Sequence, residues 1–154
     1  MSDLANCVLP GDLKYHIDFN VWLRDQGDGT FQLGMTDIAQ TLAGSVIHCR
    51  PKKAGKTIKA GKSIATVESG KWVGPVKAPF HCEIVSRNEE VESDATVLNR
   101  SPYSKGWIVC IRPTEEAGDY QSELLSADAA LEGFRAYMAK HDLAECSHCD
   151  GFEE

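Results

Sequence analysis

The sequence predicts a mainly β fold, an antiparallel sandwich or barrel with a short helix in its N-terminal half and a longer C-terminal helix. Three observations carry this. Between Ser45 and Pro113, short β-like runs recur at Val46 to Cys49, Ser63 to Val67, Trp72 to Lys77, Cys82 to Ser86 and Trp107 to Arg112. Turn formers such as Gly55, Gly61, Gly74-Pro75, Asn88, Asp94 and Gly106 separate them at short intervals. After Pro113 the composition shifts to a pattern of helical period.

In chain order, residues 1–14 show no periodicity and include Pro10-Gly11, so they are expected to be an irregular lead-in. Phe19 to Leu23 and Thr30 to Leu33 form a hairpin pattern around Asp25-Gln26-Gly27-Asp28-Gly29, whose glycines accept the positive φ of a tight reversal. Thr36 then offers a hydroxyl cap to Asp37-Ile38-Ala39-Gln40-Thr41-Leu42, with Ile38 and Leu42 four apart and Gly44 as the stop. Ala54 to Ile64 and Asn88 to Leu98 share an apolar-turn-apolar layout, the pattern of two pseudo-symmetric halves. Ser126 caps the last helix, in which Leu131, Phe134, Tyr137 and Met138 make an apolar stripe facing the sheet. The tail over 141–154 is polar and contains cysteine, and terminal polar segments of this kind are commonly disordered.

Bulk properties narrow the partners. At 154 residues and 42% hydrophobic, the chain has enough apolar material for one domain with a real core. A net charge of -7 repels nucleic-acid backbones and anionic lipid surfaces at long range. No stretch reaches the ~20 apolar residues of a membrane span, and the N-terminus lacks the order of an export signal, so a cytoplasmic location is expected. In that compartment the six cysteines are read as thiols rather than staples, with Cys49, Cys82 and Cys110 as packing residues.

The residue that stands out is Lys71, in Glu68-Ser69-Gly70-Lys71-Trp72-Val73-Gly74-Pro75. Gly70 permits a reversal, while Pro75 and Pro79 limit how the returning strand can pair, so Lys71 is expected at a hairpin tip. An isolated lysine is ordinarily a solvated charge, and the hairpin context is what sets this one apart. The Cys146-x-x-Cys149 pair with His148 between suggests a second reading, a thiol or metal protein with His141 as the nearest extra ligand. A closed zinc site needs four ligands, and a thioredoxin-like site needs a helix N-terminus beside a βαβ unit. His48 beside Cys49 and His81 beside Cys82 read as strand neighbours on opposite faces. No set of side chains reads as a catalytic triad. Trp22 and Trp107 read as core, whereas Trp72 is placed either as an exposed apolar contact or against its own hairpin.

Three separated motifs together resemble a known family. Glu68-Ser69-Gly70-Lys71 with Ala78-Pro79, Leu33-Gly34-Met35-Thr36-Asp37-Ile38-Ala39-Gln40 upstream, and Asn99-Arg100-Ser101-Pro102-Tyr103-Ser104-Lys105-Gly106-Trp107-Ile108 downstream are similar to the lipoyl-carrying H-protein of the glycine cleavage system. The resemblance spans roughly residues 15 to 140. It implies a lipoyl-domain-like barrel-sandwich hybrid over 15–140 and a non-catalytic carrier with lipoate joined covalently, as an amide, to Lys71. Glu68 becomes a plausible contact for a lipoate-attaching enzyme. Biotin is disfavoured, because a biotinyl lysine of that family lies between methionines.

Two departures bear on the cargo. Gly70 and Trp72 replace the apolar residue and alanine that usually flank the modified lysine, and in the stretch Tyr15 to Trp22, whose histidine is His16, Phe19 stands near the place where the family has one. Both resemble a sister group, the lipoate-binding proteins of bacterial sulfur oxidation that work with a heterodisulfide-reductase-like complex. On that resemblance the arm carries sulfur-bound intermediates, and the alternative load is the aminomethyl group of glycine cleavage.

Overall fold

A computed structural model describes residue 4, residues 6–148 and residues 152–153. Cys149 lies outside the described residues. Among the described residues, ten strands form two antiparallel sheets. In chain order they are β1 Lys14–His16, β2 Val21–Asp25, β3 Phe31–Met35, β4 Val46–Pro51, β5 Thr57–Ile58, β6 Ser63–Ser69, β7 Val73–Lys77, β8 Cys82–Arg87, β9 Val109–Pro113 and β10 Leu125–Ser126. The larger sheet runs β10-β1-β2-β3-β9-β8-β5, and the smaller runs β4-β6-β7. The helices are α1 Asp37–Ala43, α2 Glu90–Ser93, α3 Val97–Arg100 and α4 Ala127–Lys140. This is the mainly β architecture with two sheets and a C-terminal helix that the sequence predicts.

Side-chain alternation along β2 explains how the layers stack. Val21 and Leu23 point to one face and join Leu33, Val67, Val76 and Ile84 in a core between the sheets. Trp22 points to the other and joins Leu9, Tyr15, Ile38, Tyr103 and Phe134 beneath α1 and α4. Both faces of β2 are therefore covered, which is why Val21-Trp22-Leu23 is apolar without a break. Gly34, the cross-strand partner of Trp22, leaves the room its ring fills, because a Cβ there would lie 2.7 Å from the indole.

Both predicted helix caps form. Thr36 Oγ1 accepts from Ala39 N at 3.1 Å and Ser126 Oγ from Ala129 N at 3.2 Å. On α4 the fully buried line is Ala130, Phe134 and Met138, while Leu131 and Tyr137 flank it half-exposed, a rotation of the expected stripe by about one position.

Two expectations fail. The second half of the proposed repeat is not a strand pair, because Asn88 Oδ1 accepts from Glu90 N and Asp94 Oδ1 from Thr96 N, starting the short helices α2 and α3. The lead-in has no helix or strand before β1, as expected, but its described residues and those of the tail are packed against the fold. Leu4, Cys7, Leu9 and Leu13 are buried, and Cys146, 1% exposed, is disulfide-bonded to Cys7 across 139 residues of sequence. Reading the cysteines as thiols holds for Cys49, Cys82 and Cys110 and not for this pair. Spacing alone carries no information about which distant cysteines meet.

Candidate functional site

Lys71 occupies the loop of the β6–β7 hairpin. Glu68 pairs with Val73, Ser69 N donates to Trp72 O at 2.7 Å, and Gly70 and Lys71 make the two-residue connection, both exposed. The turn does not use a positive φ at Gly70, so the conformational freedom expected of that glycine is not what closes the loop.

The hairpin is held from below. Ser69, 6% exposed, donates through Oγ to Ala43 O at 2.5 Å and accepts from Lys71 N at 3.3 Å. Ala43 and Gly44 end α1, and Asn99 fixes that end from α3. Its Nδ2 donates to Gly44 O and to Gln40 Oε1, each at 2.9 Å, while its Oδ1 accepts from Val46 N at 2.9 Å. Gly44 has φ 79°, and a Cβ on it would lie 2.9 Å from Lys71 Cε. A glycine is needed there twice, for the backbone and for the lysine stem that crosses it. Ser69, Gly44 and Asn99 were not legible as a site, although the Asn99 motif was visible as part of the resemblance.

Around the tip, Ile47 is 53% exposed, Val73 65% and Trp72 39%, an apolar rim interrupted by His48 and Glu68, which face each other across β4 and β6. Glu68 is part-exposed beside the lysine loop, within reach of a docking partner. Trp72 resolves both ways at once, since its ring lies over Gly74 and also lines a cleft of about 450 Å³. The cleft runs from the Ala43 end of α1 past Leu42, Phe19 and Val76 to Tyr137 and His141 of the C-terminal helix region. It is mostly apolar, with Asp18 and Lys77 as its charged members and Lys77 Nζ 5.6 Å from the centre of the Phe19 ring. Gly74→Ala should push the indole off its seat, since the new methyl would overlap the ring. The expected result is a displaced Trp72 indole resonance with about 1 kcal/mol or less of stability lost, the ring being free to swing towards solvent.

His16 backs the cleft wall, stacked on Phe19 with ring centres 4.2 Å apart. Burial pulls its imidazole below the ordinary 6.5, against the opposing pull of Glu123 at 3.6 Å. The unfolded chain then takes up this proton first as pH falls, so stability is full above 6.5 and declines below it towards the folded value. Urea midpoints at about pH 7.5 and about pH 5.5 should fall further for the wild type than for His16→Gln.

Away from the tip, Cys49 and Cys82 are buried thiols pushed up to about 12 by desolvation, packing residues rather than nucleophiles. His48 is exposed and Cys49 buried, on opposite faces as expected. Cys146 is spoken for by Cys7 and does not stand as half of a free dithiol. Among the described residues, no group of three or more His, Cys, Asp or Glu side chains converges as a metal site.

Lys71 is thus an exposed lysine on a two-residue hairpin loop beside an apolar cleft, and residues 13–136 match the family profile described as Glycine cleavage H-protein. The chain belongs to the glycine cleavage H-protein family. Its relatives include two proteins of Aquifex aeolicus. Glycine cleavage system H protein 3 is 43% identical over 149 residues, covering 96% of this chain and 92% of that one. Glycine cleavage system H protein 2 is 38% identical over 143 residues, covering 93% and 88%. A crystal structure of a glycine cleavage system H protein from Mycobacterium marinum superposes with a TM-score of 0.67 at 27% identity, over 88% of this chain and all of that one. H-proteins are lipoate-carrying proteins that do not themselves catalyse, and this chain is a carrier of that type. Among the described residues no helix is long and apolar enough to cross a membrane.

Proposed function

We propose that this protein carries lipoate as an amide on Lys71 and shuttles the arm between partner active sites in the cytoplasm. The observation that supports this most is the placement of Lys71, an exposed residue whose stem crosses Gly44, between Ala43 and Trp72 of the cleft lining. Amide formation removes the lysine charge and leaves a dithiolane on a flexible apolar stem. The ring is a disulfide that opens to two thiols, so it can take up a thiolate or sulfane sulfur or form a mixed disulfide. The chain's own part is to hold the tip rigid, offer Glu68 and the apolar rim to a lipoate-attaching enzyme, and lend the cleft to the arm between transfers.

Two cargos fit. The names of the relatives favour the aminomethyl group of glycine cleavage. The second reading is transfer of sulfur-bound intermediates with a heterodisulfide-reductase-like complex. It is favoured by the Gly70-Lys71-Trp72-Val73-Gly74-Pro75 string. Incubating the lipoylated protein with purified glycine decarboxylase and aminomethyl-transfer components separates them. Glycine-dependent release of carbon dioxide supports the first cargo. Its absence, with sulfur retained on the arm by intact mass after exposure to a sulfane-sulfur donor, supports the second.

A further inference from the structure

The two ends of the described chain converge on α1, and a disulfide joins them there. Cys7 and Cys146 are 4% and 1% exposed, and the residues next to each are bonded to the same helix. On one side Val8 N donates to Asp37 Oδ2 at 2.9 Å, and Tyr103 Oη, which accepts from Asp37 N at 2.8 Å, donates to Val8 O at 2.6 Å. On the other, Ser147 N donates to Thr41 Oγ1 at 3.1 Å, Gln40 Nε2 donates to Ser147 O at 2.9 Å, and His148 Nε2 lies 2.8 Å from Asp37 Oδ2.

From α1 the contacts continue to the lysine loop. Gln40 Oε1 accepts from Asn99, Asn99 holds Gly44 and Val46, and Ala43 O takes the Ser69 hydroxyl beneath Lys71. A chain of two-atom contacts thus leads from the disulfide to the cofactor hairpin. Among the described residues, neither 4–13 nor 141–148 belongs to a β ladder, so apolar packing, the covalent link and these side-chain bonds are what seat them. The bridge lies within the core beneath α1 and α4, which also holds Leu4, Leu9 and Leu13, whereas the core between the sheets takes no residue from either terminal segment. In the cytoplasm proposed above, disulfides that form are characteristically transient and redox-sensing.

We propose that Cys7–Cys146 is a thiol–disulfide switch that sets how firmly the Lys71 hairpin is held. Oxidised, it keeps residues 146–148 on α1 and the α1 end under the hairpin. A dithiol reductant resets it. One reductant thiolate attacks a bridge sulfur in a transient opening, forming a mixed disulfide and releasing the first cysteine thiolate. The second reductant thiol then closes on its own partner and expels the other cysteine. Two electrons and two protons pass to the protein, and the reductant leaves as a disulfide. The terminal segments then gain freedom, Gln40 and Asp37 lose their tail partners, and the hairpin support slackens. The meaning of that slackening for cofactor transfer rests on the carrier reading; the switch itself does not.

Backbone hydrogen exchange on the lipoylated protein tests it, in a Cys149→Ser background so that this thiol cannot trade places. Oxidised protein is compared with Cys7→Ser, which breaks the bridge without any reductant and so leaves the lipoyl ring closed, and with dithiothreitol-reduced protein. The expected result is exchange faster by about tenfold or more at Ser147, Gly44 and Ser69 in both bridge-free forms, with Ile84 and Ile111 of the β8–β9 ladder unchanged. Alkylation of Cys7 and Cys146 in unreduced protein would overturn the proposal, as would faster exchange confined to the terminal segments. Faster exchange throughout, the β8–β9 ladder included, would mark the bridge as a global staple and overturn it too. Intact mass of the same samples reports lipoylation separately, so a bare Lys71 counts against the carrier reading without touching the exchange map.

Discussion

Lys71→Arg protein, made in a host that attaches lipoate, should show no lipoyl increment by intact mass and should transfer nothing between partner enzymes. The reason is chemical rather than steric. An amine can shed its proton and attack an activated carboxyl group, whereas a guanidinium stays protonated and its lone pair is delocalised. The fold should be indifferent. Lys71 is exposed, and an arginine stem can cover Gly44 much as the lysine stem does, so the urea midpoint should shift by no more than about 0.5 kcal/mol in stability. Lys71→Ala should likewise lack the cofactor. A lipoyl increment retained in either variant would place the attachment on another lysine and remove the central claim.

Trp22→Ala should cost about 3–5 kcal/mol in urea unfolding, the loss typical of a large buried aromatic. Trp22 is 0% exposed, its Nε1 donates to Pro102 O at 2.9 Å, and the Arg24 guanidinium sits 4.9 Å from its ring centre. Truncation therefore opens a cavity, orphans a buried carbonyl and frees a cation from its aromatic seat. Because Pro102 follows closely on Asn99, the damage should spread towards the hairpin support. The reciprocal change, Gly34→Ala, puts a methyl into the indole and should cost about 1–3 kcal/mol by overpacking. A small loss for Trp22→Ala would show that the layer beneath α1 and α4 can collapse around the gap.

What could be read beforehand follows the range of the forces involved. The β2–β3 hairpin, the Thr36 and Ser126 caps and the Lys71 loop are set by residues a few positions apart, and they were legible. Asn88 and Asp94 were read as turn residues, and their side chains do start turns, but those turns wind on into α2 and α3 instead of releasing a strand. That outcome depends on Asn88 Nδ2 also bonding Lys105 O and Trp107 O, which no local pattern reveals. The support beneath Lys71 shows the same limit. Ser69, Ala43, Gly44 and Asn99 come from three separate stretches, and each looks ordinary in its own neighbourhood. The three-residue β1 and two-residue β10 were too short to leave a pattern, and they are strands only because each finds a partner.

That last pairing governs the order in which the molecule can be built. Lys14 sits opposite Ser126 and Tyr15 opposite Leu125, so β1 waits for a partner made far downstream, after every other strand. Until then β1 has β2 on one side and an unsatisfied edge on the other, on a ribosome-bound chain crowded with its own copies. The β6–β7 hairpin, by contrast, pairs consecutive strands and can close as soon as both have emerged. A nascent chain would thus display its lysine loop before its outer sheet is sealed. Late sealing makes the arrival of β10, and not the loop that bears the lysine, the step on which escape from aggregation depends.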